Sequence, residues 1–475
     1  MSESVSIQFV VDQQDEKLRR GMKALYIGLM AFCLLSFMWT LAIGSGVDNM
    51  PPIIWYARMA TVPLAIYLGK LWKNTGFRIL TVYSVLFFLR CFISNTDSVG
   101  NEELAENVLS AIWLFSACYG MGQILNKKQL KSLLYVCSSL WIAGMTILSS
   151  IGIYMASTEQ SIEILHDGLI GLYNRRLRIV YLATTSGSMV GITILLSFIC
   201  LISGGKRLHR ACFLMTLFPL FLALALTDSR TAYISVPVGI GIMAFSIAMN
   251  HFQKAETLIK NDEKRKKRWK SWTLGLLIMV IVFVLLVLII MQITPLYNSI
   301  RIQGLIPKAL AESSNEVQQS AVSTRGFEGD RVLNGRAELW TMVIDYIEEH
   351  PLILLIGESK ISPLKGLNYY KAHCHSIYLQ ILLENGIPGL LLFLAFIGYT
   401  LIHAIRAIRD PEQPLWIRLL PAIPVSLWVG DLAENFTWLR SSQCPMPAIL
   451  CIAAGILCAQ ASGRKNTKTS ALESN

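Results

Sequence analysis

Apolar segments long enough to cross a lipid bilayer recur from one end of this chain to the other. The hydrocarbon core is about 30 Å thick, so a helix needs about 20 apolar residues to span it. Lipid cannot hydrogen-bond to open backbone groups, so each segment must be helical. Only 15% of the 475 residues are charged, whereas soluble domains carry roughly 25%. The sequence therefore predicts an all-α, polytopic integral membrane protein with about twelve transmembrane helices, over about 24–43, 53–69, 79–94, 107–125, 132–156, 179–202, 211–227, 231–249, 273–293, 376–400, 415–434 and 444–460.

Lys and Arg are concentrated in the connections on one side of these predicted helices, and the positive-inside rule assigns that side to the cytoplasm. Both termini are then cytoplasmic. The prediction divides the chain into a cytoplasmic N-tail, nine transmembrane helices, a large extracytoplasmic loop, three further transmembrane helices and a disordered cytoplasmic C-tail, at residues 1–23, 24–293, 294–374, 375–460 and 461–475.

The net charge of +11 follows largely from this asymmetry. The strongest basic run, residues 260–270, directly precedes a predicted membrane helix. That position favours contact with anionic lipid headgroups. Membrane lipids are therefore expected partners, and nucleic acid is not.

The predicted extracytoplasmic loop contains an amphipathic helix from Arg336 to Glu349. Asn334 is its predicted N-cap, and Pro351 is expected to end it. Apolar side chains recur at helical spacing along one face, namely Leu339, Trp340, Val343, Ile344 and Ile347. A functional lid and a helix that only covers the bundle are equally consistent with this pattern.

Two arginines on the extracytoplasmic side are candidates for chemistry. Arg230 follows a tight predicted connection, and a cation at membrane depth costs about 3 kcal/mol or more unless it is paired or hydrated. It is therefore either paired with an acid such as Asp228 or placed to hold an anionic ligand. Arg336 begins the amphipathic helix, where a cation opposes the helix dipole. A phosphate bound at the same helix N-terminus would reverse that penalty.

His375 lies where the chain re-enters the membrane, and its imidazole can accept a proton from a hydroxyl near neutral pH. The plain alternative is an interfacial histidine bonded to a neighbour. His373 and His375 form an HxH pair, but no further ligands accompany it, so no metal is expected.

Other charged residues also need partners on this side. Arg175, Arg176 and Arg178 lie where cations are otherwise scarce, so they either bind an anion or balance external acids. Glu384 falls within the tenth predicted helix and needs a partner, for which Arg58 and Arg90 are candidates. Asp431 and Glu434, near the outer end of the eleventh predicted helix, are further candidates for chemistry. Arginines with a histidine and no metal motif suit a lipid-linked diphosphate, whose departure arginines can stabilise.

The segment from Asn334 to Phe393 resembles the signature region of the O-antigen ligase and O-antigen polymerase superfamily. Upstream, residues 227–232 (TDSRTA) resemble its Ser-Arg-small element, and the large outer loop before the antepenultimate helix agrees as well. The matching pieces are Gly335-Arg336, Trp340, His350-Pro351, Gly357, His375-Ser376 with Leu379, and Glu384-Asn385-Gly386 with Gly389.

This resemblance implies a GT-C-like, inverting and metal-independent glycosyltransferase at the outer face of a bacterial cytoplasmic (inner) membrane, without a cofactor. The donor would be an undecaprenyl-diphosphate-linked glycan, and the acceptor a glycan or a lipid. Carried over by position, Arg230 and Arg336 would hold the diphosphate, and His375 would act as the base or orient the acceptor. The expected substrate-binding residues are Arg175, Arg176, Arg178, Trp340, Ser376 and Glu384.

One position departs from the family pattern, because Ser376 stands where the family usually has Asn, and serine reaches less far. The resemblance leaves open whether the enzyme is a ligase or a polymerase that joins lipid-linked repeats. A related alternative is an attachment enzyme for glycans on proteins, or for a cell-wall polymer in a bacterium without lipopolysaccharide. A polysaccharide flippase would need polar residues along a path at the bilayer midplane, whereas here they cluster at the outer face. A non-catalytic scaffold is a further alternative.

Overall fold

A computed structural model describes residues 2–43, 51–93, 108–158, 160–164, 168–173, 176–180, 183–204, 206–256, 264–302, 336–358, 374–435 and 445–460. Over these residues the chain forms helices and a small sheet. The helices are α1 (Ser2–Ile43), α2 (Pro52–Gly69), α3 (Thr75–Ile93), α4 (Val108–Ile124), α5 (Lys127–Ser157), α6 (Ala183–Ser203), α7 (Arg207–Leu226), α8 (Arg230–Glu256), α9 (Lys264–Ile302), α10 (Arg336–Glu349), α11 (Leu352–Ile356), α12 (Ile377–Arg409), α13 (Leu415–Leu419), α14 (Ala422–Gly430) and α15 (Pro445–Gln460).

Seven of the described helices are long and apolar enough to cross a membrane, and they lie in α1, α5, α6, α7, α8, α9 and α12. The other predicted segments also contain helices, but these are shorter or interrupted. A π-helical turn at Leu114–Cys118 interrupts α4, and Leu420 and Pro421 separate α13 from α14. The chain is thus a mostly helical membrane protein, and the number of twelve crossings stays a prediction.

A three-stranded antiparallel sheet occupies much of the connection predicted as a loop at 157–178. Its strands are β1 (Ser161–Ile164), β2 (Gly168–Tyr173) and β3 (Arg176–Val180), in the order β1-β2-β3. The sixth predicted helix was placed too early, since α6 begins at Ala183 rather than 179. Burial explains the difference, because Leu177 and Ile179 are buried while Arg176 and Arg178 are partly exposed. This alternation has the period of a strand.

Helix α8 runs antiparallel to α13 and α14. Near one end, Ser426 Oγ donates to the Ser235 carbonyl oxygen at 2.7 Å. Near the other end, Arg418 donates to Asn250 Oδ1 at 2.8 Å. Arg230 lies five residues beyond Ser235, and Asp431 lies five residues beyond Ser426. Five residues of helix extend about 7.5 Å at 1.5 Å per residue. Because the two helices are antiparallel, Arg230 and Asp431 therefore lie at the same level of the bundle.

Helix α10 has the predicted bounds and packs on the corner between α11 and α12. Its buried stripe is Leu339, Val343 and Ile347, which contact Ile353, Cys374 and Leu383. The predicted apolar face was too wide, since Ile344 is 47% exposed. Pro351 follows the end of α10 and opens α11. The predicted N-cap, Asn334, lies outside the described residues.

Two glycines make the corner between α11 and α12 possible. Gly386 has a φ of 64°, although it lies inside α12, and Gly357 has a φ of 66°. Only glycine adopts such angles without strain. A Cβ on Gly386 would lie 2.8 Å from the Leu354 carbonyl oxygen. Because α12 is broken there, the Leu383 carbonyl can accept the Glu358 N–H at 2.7 Å.

Candidate functional site

The carboxylate of Glu434 joins two of the three predicted catalytic residues. Its Oε1 accepts a hydrogen bond from Arg336 Nη2, and its Oε2 lies 3.0 Å from His375 Nδ1. The Glu434 side chain is 5% exposed, against 13% for Arg336 and 21% for His375. A buried acid therefore lies beneath a cation and an imidazole that both reach the surface.

The bond to Glu434 determines the tautomer of His375. An ionised carboxylate can only accept hydrogen bonds, so Nδ1 must carry the proton. In the neutral ring, Nε2 then holds the lone pair, which is the arrangement of a general base oriented by a carboxylate. If Nε2 takes a proton, the resulting imidazolium lies against a negative charge that stabilises it.

The backbone around His375 is fixed by contacts from three directions. His375 has a φ of 51°, a conformation uncommon for residues other than glycine. Two residues later, the Ile377 N–H donates to the Asp431 carbonyl at 3.0 Å. One residue earlier, the Cys374 carbonyl accepts from Trp340 Nε1 at 3.0 Å, and the Cys374 N–H donates to Gln380 Oε1 at 2.9 Å. Such a conformation persists where the surroundings over-determine it.

Glu384 lies in the interior behind this segment. It is 1% exposed, and Gln380 Nε2 donates to its Oε1. Arg58, one partner considered for Glu384 from the sequence, stacks among the rings of Phe37, Trp55 and Trp113, 4.5 Å from the centroid of the last. The side chain of Arg90, the other, lies outside the described residues.

Two weakly acidic groups near the site, the thiol of Cys374 and the phenol of Tyr346, are kept neutral by burial. Burial raises the pKa of the Cys374 thiol well above its usual range, and the charge of Glu384 raises it further. Cys374 therefore remains a thiol and is a poor nucleophile. Burial likewise raises the pKa of Tyr346, reinforced by the 2.7 Å hydrogen bond to Glu358.

Arg176 ties the sheet to the turn before Arg230. Its Nε donates to the Thr227 carbonyl at 3.0 Å, and its Nη2 donates to the Asp228 carbonyl at 2.9 Å. Asp228 has a φ of 46°, so these bonds stabilise a turn with an uncommon backbone angle. Arg178 lies partly exposed on β3, opposite Gly171. Arg175 lies outside the described residues.

Arg230 is partly exposed at the first position of α8. The register of α8 against α14 places it level with Asp431, whose carbonyl holds the start of α12 next to His375. The structure therefore brings Arg336 and His375 together, since both bond to the carboxylate of Glu434. The register of α8 against α14 places Arg230 at the same end of the bundle.

The remaining predicted residue, Ser376, precedes α12 and is 5% exposed. Its carbonyl accepts the Gln380 N–H at 2.9 Å. Within the described part of the chain, no three His, Cys, Asp or Glu side chains converge as metal ligands. His373, the partner of His375 in the HxH pair, lies outside it.

Sequence reasoning gave no role to Gln380 and did not connect Glu434 to Arg336 or His375. Glu434 was named only as a further candidate near the outer end of a predicted helix, where an acid needs a partner. Gln380 is a polar residue one turn before Glu384 on an otherwise apolar helix. It bonds both the Cys374 N–H and the Glu384 carboxylate.

A model of the O-antigen ligase family matches residues 215–394. The matched region contains Arg230, Arg336, Trp340, His375, Ser376 and Glu384, and it ends before Glu434. No curated protein matches the chain. Over this region, which carries the residues named above, the chain is similar to the O-antigen ligase family.

Proposed function

We propose that this protein transfers a glycan from an undecaprenyl-diphosphate carrier to an acceptor hydroxyl at the outer face of the cytoplasmic membrane. The match to the O-antigen ligase family model supports a ligase- or polymerase-type activity in general. The observation that carries the specific proposal is the bridge from Arg336 through Glu434 to His375. It places a cation next to an oriented base at one end of a membrane bundle.

His375 is the proposed general base. Nε2 would accept the proton of the acceptor hydroxyl while the hydroxyl oxygen attacks the anomeric carbon of the donor sugar. The bond from that carbon to the diphosphate oxygen breaks, and the lipid diphosphate leaves with the electron pair. Attack opposite to the leaving group inverts the configuration. A positioned base of this kind contributes roughly 10²- to 10⁴-fold to the rate.

Arg336 and Arg230 are the proposed ligands of the diphosphate. A guanidinium is planar and binds phosphate oxygens through two parallel hydrogen bonds. Without a donor lipid, Glu434 compensates the charge of Arg336, which lowers the cost of keeping it near the membrane. A diphosphate arriving beside Arg336 would share that guanidinium with Glu434. The charge that develops on the leaving oxygen would strengthen its contact with the arginines.

The other expected substrate residues fall into two groups. Trp340 donates to the Cys374 carbonyl in the segment before His375. Glu384 lies behind that segment and accepts from Gln380. Both contacts favour a positioning role. Arg176 donates two hydrogen bonds to the turn before Arg230. It would therefore position that turn rather than bind the substrate directly. Arg175, Arg178 and Ser376 remain candidates for direct contact with the glycan.

The proposal is tested by transfer from a lipid-diphosphate glycan with purified protein, in buffer containing EDTA. His375→Ala and Arg336→Ala should each lower the rate by at least about 10²-fold. His350→Ala is the matched control, since His350 is an exposed histidine whose Nδ1 lies 3.1 Å from the Tyr346 carbonyl. Full activity in both site variants would overturn the mechanism.

The same assay distinguishes the two acceptor classes. A lipid A-core acceptor and a second lipid-linked repeat are supplied separately, and the product is sized on a gel. Transfer to the first only indicates a ligase, and chain growth on the second only indicates a polymerase. No transfer to either, with active donor lipid, would contradict the proposed reaction for these acceptors.

A further inference from the structure

An apolar crevice opens between the helices at the end of the bundle opposite His375. It is lined by parts of α1, α5, α6, α13, α14 and α15 and has a cavity volume of about 120 Å³. None of the residues assigned to the proposed active site lines it, so the crevice is a separate feature.

The position of the crevice follows from α5 and α6. The far end of α5 packs on the sheet, where Gly152 lies beside Leu177, and the sheet contacts the turn before Arg230. Lys131, near the start of α5, therefore lies at the opposite end. Lys and Arg patterning predicts that this end is cytoplasmic. From Lys131 to Trp141 the lining of the crevice extends over ten residues, or about 15 Å, which is half the hydrocarbon thickness.

Apart from Ser138, the walls of the crevice are apolar except at its mouth. Deep in the bundle, Trp141, Leu196, Leu420 and Ile449 line it. At the mouth the lining residues are Lys131, Tyr135 and Ser203. The site therefore has the polarity of a membrane lipid, with an apolar length inside the bundle and a charged end at the surface.

Polar groups at the mouth favour an anion. Lys131 is exposed and carries a positive charge there. Tyr135 Oη lies 3.1 Å from His209 Nδ1, which brings the basic start of α7 to the same rim. Ser203 Oγ is buried and has no hydrogen-bond partner among the described residues. A buried hydroxyl without a partner costs free energy, and a phosphate oxygen would accept a hydrogen bond from it.

We propose that this crevice binds an anionic phospholipid of the cytoplasmic leaflet, with its phosphate at Lys131 and Ser203 and an acyl chain along Trp141. Basic pockets between membrane helices on the cytoplasmic side suit such headgroups. A zwitterionic lipid gains less from the basic rim, because its own amine faces the same cations. The polyprenyl carrier is a poorer occupant, because its diphosphate is needed at the other end of the bundle.

The test measures phospholipid that stays bound through detergent purification of the full chain. Lipids are quantified by mass spectrometry and compared with the membrane from which they came. We expect phosphatidylglycerol to be enriched over phosphatidylethanolamine. Lys131→Glu should lower the bound phosphatidylglycerol at least about fivefold, since one surface lysine contributes about 1 kcal/mol.

Matched variants separate the crevice from the general surface. Lys131→Arg keeps the charge and should retain the lipid. Lys128→Glu removes an exposed lysine one turn earlier that does not line the crevice, and it should also retain the lipid. Ser138→Trp should exclude the acyl chain by filling the crevice, whereas Val136→Trp, at a position that is 52% exposed on the same helix, should not.

Three outcomes would overturn the proposal. One is equal retention of phosphatidylglycerol in Lys131→Glu and Lys128→Glu. The second is retention of both phospholipids in the proportions of the membrane. The third is a polyprenyl phosphate, rather than a phospholipid, as the retained species. All variants are compared by gel filtration, so a folding failure is recognised before the lipid is measured.

Discussion

Two arginines at opposite ends of the bundle show how one residue type serves different purposes. Arg418, at the end away from His375, is fully buried and donates to Asn250 Oδ1, Gln253 Oε1 and the Ile408 carbonyl at 2.7 to 2.8 Å. Its acceptors in these bonds are neutral. Arg336, at the other end, is partly exposed and shares the Glu434 carboxylate with His375.

The difference lies in what the partners of each arginine can do. Amides and a carbonyl cannot change charge, so Arg418 joins α8, α12 and α13 in one geometry. A carboxylate and an imidazole are both titratable, and both of the groups bound to Glu434 reach the surface. The second arrangement can respond when a ligand brings charge or removes a proton. We therefore assign stability to the first arginine and propose chemistry for the second.

The sharpest test of this comparison is Glu434→Gln, which keeps the shape of the side chain and removes its charge. An amide nitrogen facing His375 would donate to Nδ1, and the proton would move to Nε2, where the lone pair is needed. We expect transfer to fall by about 10²- to 10⁴-fold. Initial rates with purified protein measure this.

The control for Glu434→Gln is Glu348→Gln, which changes an exposed acid on α10 and should leave the rate unchanged. The apparent unfolding temperature of both variants should stay within a few degrees of the unmodified protein. If Glu434→Gln kept more than a tenth of the activity, the orienting role of Glu434 would be wrong.

The opposite outcome is expected at the other arginine. Arg418→Met fills much of the same volume but leaves the partly buried Asn250 and Gln253, and the buried Ile408 carbonyl, without this donor. Breaking a buried hydrogen-bond network costs about 2–4 kcal/mol. The apparent unfolding temperature should fall by several degrees, while the rate per folded molecule stays near that of the unmodified protein. A variant that is stable but inactive would reverse the roles assigned here.

Local signals in the sequence account for much of the fold. The bounds of α10 were predicted because its apolar residues recur at helical spacing and Pro351 follows it. Strand β3 was missed because Leu177, Ile179 and Val180 run on towards the apolar residues of α6, and an apolar run alone does not separate strand from helix. The shortened and broken helices depend on packing between distant segments, which one sequence does not display.

The candidate site was predictable in its residue types and not in its connections. Arg336 and His375 could be named from the motifs that resemble the family. The residue that joins them, Glu434, is 98 positions from Arg336 and 59 from His375. Arg176 is separated from the turn that it holds by 51 positions. Pairings over such distances are determined by the tertiary fold, so no local pattern indicates them.

The corner between α11 and α12, behind the segment that contains His375, offers a test of intermediate size. Gly386→Ala places a Cβ at a φ of 64° and 2.8 Å from the Leu354 carbonyl, which costs about 1–3 kcal/mol. We expect lower stability together with lower activity, since α11 and α12 would shift beneath α10. Gly398→Ala, in the same helix with no atom within 4 Å of its new Cβ, is the control. Equal effects of both changes would show that the corner is not strained.

The smallest predicted effect concerns the hydrogen bond from Trp340 to the Cys374 carbonyl. Trp340→Phe keeps an aromatic ring against α12 and removes the Nε1–H donor. One hydrogen bond of this kind contributes about 0.5–1.5 kcal/mol, so the rate should fall by about threefold to tenfold. If Trp340 positions His375, the loss should appear in kcat, with the KM for the acceptor nearly constant. If it binds the glycan directly, KM should rise instead, and the separation of the two constants decides between positioning and contact.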